Sequence, residues 1–321
     1  MFLIIGYKTE STIKHFLHYL KDNESLAKFD LLDLSELNSD SEIEITYKND
    51  LLIKLNKKEF DFSKYSKIYS RCFIQDFNDS SSNYSTLNFI QLLSNYLDSC
   101  DKVVVNPPSS GYSNYSKLLH IMRLKKAGFS VPETFIFGSE ESSKAVLSID
   151  DTWISKGISS IRTKAVNFDF SLYLNLDLLG KTPSLFQKKI KGFDVRIHLI
   201  ADKSVSLKIL STELDYRYSK EINKYEEISL PPEIENKCIL YCKSEKLIFA
   251  GIDFKVDENL EWHLLEVNPM PGYNYFDKKL EGKISKLLYD YLSSNQTVSE
   301  DKPIKYSIDR PFISKKRRTM T

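Results

Sequence analysis

The sequence predicts an α/β chain, α+β in its later half, and three observations carry that prediction. Apolar runs of strand length, FLIIGY at 2–7 and VVVNPP at 103–108, are separated by amphipathic helical stretches such as STIKHFLHYLKD. Longer segments place strand-like residues on either side of a turn, as in DVRIHLIADKSVSLKIL and GIDFKVDENLEWHLLEVNP, which is hairpin patterning. The 321 residues, 41% apolar and 12% aromatic, suffice for two or three domains with a sizeable core.

In order along the chain, FLIIGY reads as the first strand. A helix over STIKHFLHYLKD follows, with Ser11 or Thr12 as its expected N-cap. FDLLDLSEL is a short apolar run passing into a loop, and EIEITYKNDLLIKLNKKEFDF a hairpin turning at Asn49-Asp50. SKIYSRCFI is a strand carrying Arg71, TLNFIQLLSNYLDSCDK an amphipathic helix, and VVVNPP a buried strand ending at prolines. The next helix starts near Asn114 and stops at Gly128, and ETFIFG is again a strand. TWISKGISSIRTKAVNFD reads as two strands around a turn, with Lys156 in the first. Residues 184–218 read as strand, loop, strand, turn, strand. EIENKCILYCKSEKLIFAG is a helix, a hairpin turning near Asp257–Asn259 follows, and LEGKISKLLYDYLSS is the final helix. After Asn295 the composition turns polar, and Lys315-Lys316-Arg317-Arg318 reads as a solvated terminus or a partner-binding arm.

Charge excludes some function classes. With 45 basic against 44 acidic residues the net charge is +1, so no global field favours nucleic acid or a membrane surface. No apolar run approaches the roughly 18 residues that span a bilayer. The start of the chain lacks a basic leader and reads as a strand, not a signal peptide. Cys72 and Cys100 stand singly. Cys238 and Cys242 share a helix face without further zinc ligands nearby, so all four are expected as reduced, packed thiols of a cytoplasmic protein.

The candidate chemistry sits in the last hairpin. Its turn places Asp253 opposite residues 265–267, and Glu266 and Asn268, two apart, point to the same face. Three oxygen donors without His or Cys suit Mg²⁺; the alternative is an exposed acidic edge. Lys117 and Lys156 are either solvated lysines or point charges for phosphate. Gln187 is a simple polar strand residue or a ligand contact. Arg196, between apolar Val195 and Ile197, needs an anion: either a bound one, or a structural salt bridge to Asp194 or a core acid. His198 and His263 read as packing or solvent-facing residues.

These segments, in this order, resemble the ATP-grasp family of carboxylate–amine ligases over roughly residues 103 to 290. YSKLLHIMRLKKAGFSVPETFIF resembles the family's first-lysine helix and following strand, WISKGISS the second-lysine strand, and SLFQKKIKGFDVRIHLI the hinge and arginine strand. GIDFKV and LLEVNPMPG resemble the metal-binding strands. The resemblance implies an ATP-grasp fold with a pre-ATP-grasp α/β domain (1–105), a central subdomain (106–183), a catalytic subdomain (184–295) and a basic tail (296–321). It implies ATP and Mg²⁺ as cofactors, and Lys117, Lys156, Gln187, Lys188, Lys189 and Ile190 as nucleotide contacts. Arg196 would then face an acyl phosphate, with Asp253, Glu266 and Asn268 as metal donors.

Within the family the layout is similar to the ribosomal-protein glutamate-ligase branch, and most to the graspetide (microviridin-type) macrocyclising ligases. The features carrying this are IYSRCF with its single Arg71, the Asn-Pro-Pro before the lysine helix, and Asp215-Tyr216-Arg217, which resembles an Asp-x-Arg substrate motif. This implies an ATP-dependent ligase joining acidic side chains of a ribosomally made precursor peptide to Lys, Ser or Thr. Asp215 and Arg217 would engage the acidic core, and the segment 109–183 the leader. A homodimer is a possible assembly. The alternatives are a ligase adding free amino acids to a protein terminus or small molecule, and a non-catalytic nucleotide-binding protein.

Overall fold

The computed structural model describes residues 1–23, 28–38, 40–72, 83–138, 152–158, 166–167, 183–211, 213, 216 and 223–294. The front half comprises β1 (Phe2–Gly6), α1 (Ser11–Asp22), β2 (Phe29–Asp33), β3 (Ile43–Tyr47), β4 (Leu51–Leu55), β5 (Lys58–Asp61), β6 (Lys67–Ser70), α2 (Asn83–Ser99) and β7 (Val103–Val105). Then come α3 (Lys117–Lys126), β8 (Thr134–Phe137), β9 (Trp153–Lys156), β10 (Val166–Asn167) and β11 (Ser184–Lys188). The rear half comprises β12 (Phe193–Ile200), β13 (Lys203–Leu210), β14 (Lys224–Glu227), α4 (Pro232–Ser244), β15 (Phe249–Val256), β16 (Trp262–Asn268), α5 (Asn274–Lys279) and α6 (Lys283–Ser293).

An uninterrupted apolar strand needs cover on both faces, and β1 has it. It is central in a parallel sheet of order β2-β1-β6-β7. Leu3 and Ile5 face a core closed by β4, β5 and α2, while Phe2 and Ile4 face one closed by α1 and α6. The hairpin expected at 43–61 is present, with its turn at residues 48–50, and continues into β5 as a third strand.

Two antiparallel sheets follow, in the orders β10-β9-β11-β8 and β14-β13-β12-β15-β16. Alternation along β12 and β15 gives the larger sheet two apolar faces. Val195, Ile197, Ile252, Phe254 and Val267 pack with Leu124 of α3 and with Cys238, Tyr241 and Cys242 of α4. Ile200, Leu207, Ile209 and Phe249 instead join Phe2 and Ile4 of β1 and Ile284 and Leu288 of α6. The first and last sheets therefore share one core. Cys72, Cys238 and Cys242 are buried free thiols, as the spacing predicts. Among the described residues, no helix is long and apolar enough to cross a membrane.

Two local expectations are corrected. The N-cap of α1 is Glu10 rather than Ser11 or Thr12: its carboxylate accepts the Ile13 N–H at 2.9 Å while Arg71 holds it from the other side. The helix expected from Asn114 begins at Lys117, capped by Ser116, because residues 108–115 wind as a 3-10 segment first. It ends at Gly128, whose φ of +80° is the left-handed conformation a side chain disfavours. The strand β14 and the six-residue helix α5 carry too little periodicity to be read from sequence. Asp215, Arg217 and the tail 296–321 lie outside the described residues.

Candidate functional site

Strand pairing assembles the acidic hairpin. Asp253 on β15 is directly opposite Glu266 on β16, and Gly251 opposite Asn268. The register shifts between Asp253 and Phe254, so Leu265 is an extra residue on β16. That bulge turns Leu264 into the core beside Phe254 and keeps Glu266 on the face of Asp253. β12 contributes to the same face, since Arg196 pairs with Asp253 and His198 with Gly251.

The Arg196 guanidinium is buried and donates to Asp253 Oδ2 at 2.7 Å. The salt-bridge partner is thus a site acid and not Asp194, which pairs with Lys255 at 3.0 Å. Burial alone would lower the Arg196 pKa, but the charges of Asp253, Tyr216 and Glu266 outweigh it and raise it, so Arg196 stays cationic. Its Nε lies 3.4 Å from His198 Nε2, and the ring of Phe276 lies 5.4 Å from its guanidinium carbon. Burial, then the Arg196 charge, push His198 well below its ordinary pKa, so it is a neutral packing residue. Gly251 leaves room for all this: a Cβ there would sit 2.1 Å from an Arg196 nitrogen and 2.7 Å from Pro271 Cβ.

The donor set fits a hard divalent cation. Asp253, Glu266 and Asn268 are all half-buried on one face. Two carboxylates there face one guanidinium, leaving an excess negative charge for a cation to neutralise. The Tyr216 hydroxyl lies 3.4 Å from Asp253 Oδ1. Asn268 Oδ1 accepts the Met270 N–H at 2.9 Å, which fixes the amide and leaves a second lone pair. A second group of donors, Asp257, Glu261 and His263, stands at the hairpin tip. There Asp257 caps the turn by accepting from the N–H groups of Asn259 and Glu261, and His263 bridges Asp257 and Ser130.

The lysine strands form a second cluster. Lys156 Nζ donates to Gln187 Oε1 at 2.8 Å, and Gln187 Nε2 donates onward to Thr134 Oγ1 at 3.1 Å, a relay across β9, β11 and β8. Lys117 Nζ donates to the Gly157 carbonyl at 2.7 Å, so it reaches the residue that follows Lys156 at the end of β9. The Lys188 and Lys189 N–H groups are engaged within the sheet, on Glu133 O and Thr152 O, and Ile190 follows beyond the strand end.

Four side chains that the sequence reading gave no role at the site grip the segment after Glu266. His120 Nε2 accepts the Val267 N–H at 3.0 Å, and Asn114 Nδ2 donates to Val267 O at 3.0 Å. Asn106 Nδ2 donates to Pro269 O and Phe249 O, while its Oδ1 accepts from the N–H groups of Ile248 and Phe249. Arg71, buried against Glu10, donates to Pro271 O at 3.0 Å, so the arginine of IYSRCF points into this loop and not into solvent. The segments IYSRCF and Asn-Pro-Pro drew attention to Arg71 and Asn106 without showing what they hold.

No protein-family model matches the chain, and no curated protein sequence matches it. Solved structures do. A RiPP-associated ATP-grasp ligase from Chryseobacterium gregarium, in complex with ADP and a leader and core peptide, is 19% identical. It superposes with a TM-score of 0.72 over 91% of this chain and 96% of that one. The macrocyclase MdnC from Microcystis aeruginosa MRC, bound with precursor peptide MdnA, is 17% identical, with a TM-score of 0.75 over 92% and 100%. The ATP-grasp ligase PsnB, complexed with a phosphomimetic variant of its minimal precursor, Mg and ADP, is 18% identical, with a TM-score of 0.75 over 91% and 97%. The fold is the ATP-grasp fold.

Proposed function

We propose that this chain is an ATP-dependent ligase that activates side-chain carboxylates of a ribosomally made precursor peptide and closes them onto Lys, Ser or Thr as amides or esters. The observation that carries the reading is the face shared by Arg196, Asp253, Glu266 and Asn268, built on a fold common to three peptide-bound ligases.

In this reading Asp253, Glu266 and Asn268 hold Mg²⁺, which when bound neutralises charge on the phosphates. Lys117 and Lys156 are point charges for the nucleotide, and the contact of Lys117 with Gly157, next to Lys156, supports that assignment. Gln187 orients Lys156. The strand end at Lys188, Lys189 and Ile190 offers backbone groups to adenine; with two N–H groups already engaged in the sheet, carbonyls and Ile190 carry that contact. Arg196 stabilises the charge that develops as the substrate carboxylate oxygen takes the γ-phosphoryl group and ADP leaves. The acceptor amine or hydroxyl then displaces phosphate, so each bond consumes one ATP, yields ADP and phosphate, and removes one water from the peptide. Asp215 and Arg217 engage the acidic core, and the segment 109–183 the leader. The division at residues 105, 183 and 295, a homodimer and a cytoplasmic location go with the same reading.

The test is mass spectrometry of a candidate precursor, acidic and rich in Ser, Thr or Lys, incubated with the chain, Mg²⁺ and ATP. The expected result is loss of one water per bond, matched by equal ADP and phosphate. Formation of AMP, or a peptide that gains the mass of a free amino acid, overturns the proposal.

A further inference from the structure

We propose that Asn114 and His120 are positioning residues for the cation site: together they hold both backbone polar groups of Val267, the residue between Glu266 and Asn268. The inference rests on the reading of those two side chains as cation donors and extends it to residues outside the donor set.

Among the described residues β16 is an edge strand, so the outward N–H and C=O of Val267 have no neighbouring strand there to pair with. Two side chains from one segment supply the partners instead, each at 3.0 Å. Both leave the segment 113–120 and reach across more than a hundred residues of sequence. Their effect is to fix the two peptide units that flank Val267, one joining it to Glu266 and the other to Asn268. A side chain one bond away on either side inherits any rotation of those units.

The chemistry of the grip is specific. Val267 donates to His120 Nε2, so Nε2 carries no proton, and the Nδ1–H is left to donate to Ser113 Oγ at 3.2 Å. The ring is buried and held at both nitrogens. Lys117 lies between Asn114 and His120, and its N–H and Nζ bind the carbonyls of Ile158 and Gly157. One short segment therefore touches the end of the lysine strand and the backbone of the acidic strand. The two halves of a Mg²⁺–nucleotide site are set relative to each other by residues 113–120.

The test uses the full chain and Mn²⁺ as the probe, with its binding in the presence of ADP followed by electron paramagnetic resonance. His120→Leu removes the acceptor. His120→Gln returns an oxygen acceptor, and Asn114→Ala removes the other grip at a less buried position. We expect His120→Leu to weaken Mn²⁺ binding about 10–100-fold and to lower kcat with the peptide KM unchanged, the range found when outer partners of metal ligands are removed. Asn114→Ala shifts binding in the same direction by less, and His120→Gln recovers most of the loss. Glu266→Gln is the control for the underlying reading. If it binds Mn²⁺ as the native chain does, the cation site itself is wrong and this proposal falls with it. If Glu266→Gln loses Mn²⁺ while Asn114→Ala and a folded His120 variant bind normally, the positioning role alone is overturned. If His120→Gln melts like the native chain but binds as poorly as His120→Leu, the acceptor is not what matters, and the proposal is likewise overturned.

Discussion

Arg196 and Asp253 face each other across β12 and β15, joined by a 2.7 Å hydrogen bond between the guanidinium and the carboxylate. The same carboxylate is a proposed cation donor, so one residue holds two jobs that mutation separates from those of Glu266. Asp253→Asn leaves a buried guanidinium without its counter-ion, at a cost of about 3 kcal/mol. Glu266 also faces the guanidinium, but it is the weakest of the charges that keep Arg196 cationic. Asp253→Asn is therefore expected to lose both thermal stability and ATP turnover. Glu266→Gln is expected to melt normally while turnover falls at least about 100-fold, since one metal charge is gone. Differential scanning calorimetry beside an ADP-release assay reads the contrast; equal melting points for the two variants refute it.

Gly251→Ala adds one methyl group where no room exists, 2.1 Å from Arg196. The guanidinium must leave Asp253, and the clash costs about 1–3 kcal/mol. Turnover is expected to drop as far as in Arg196→Ala itself. A Gly251→Ala chain with native turnover would show that Arg196 has slack.

Arg71 binds Glu10 through two nitrogens and Pro271 O through the third. Burial tends to raise the Glu10 carboxyl, but Arg71 and the α1 N–H outweigh it and hold it below its ordinary pKa. Arg71→Ala leaves that carboxylate without its counter-ion and is expected to cost about 3–5 kcal/mol. Glu10→Gln retains the cap and one acceptor and is expected to cost less. Urea unfolding of the two variants orders them, and the reverse order would show that the pair does not anchor the loop.

Burial, then the Arg123 charge, push His120 down to about 4 from 6.5. The unfolded chain therefore binds more protons than the folded one between these values. Its neutral ring contributes stability that is complete above about pH 6.5 and is lost as pH falls towards 4. His198, displaced in the same direction, adds to the loss. Unfolding free energy measured from pH 7 to pH 4 is expected to fall, and less steeply in His120→Gln. Identical slopes would mean that His120 titrates normally.

Much of this was legible because the informative residues obey strong local rules. Alternation puts Glu266 and Asn268 on one face of β16, and the turn near Asp257 brings Asp253 within a residue of them, but setting Asp253 directly opposite Glu266 takes the bulge at Leu265, which no pattern in the sequence reveals. The direction of Arg196 follows from its apolar neighbours, but its partner does not, because Asp194 and Asp253 are equally available to a reader of the sequence. Asn106, Asn114 and His120 were invisible in role. They bind backbone atoms 147–163 residues away, and no periodicity encodes a contact at that separation. The N-cap of α1 was misread for a related reason: Glu10 is recruited by Arg71, and that pairing is tertiary.

Phe2 and Ile4 of the first strand lie in the same apolar cluster as Ile284, Leu288 and Leu292. On a ribosome adding roughly 5–20 residues per second, those partners emerge on the order of 10–60 s after the strand they complete. During that interval one side of the first sheet has only α1 to cover it. The nascent chain thus carries a sticky half-finished surface through most of its synthesis, and slow-growth conditions or a ribosome-bound holdase should govern its soluble yield more than any substitution in the active face.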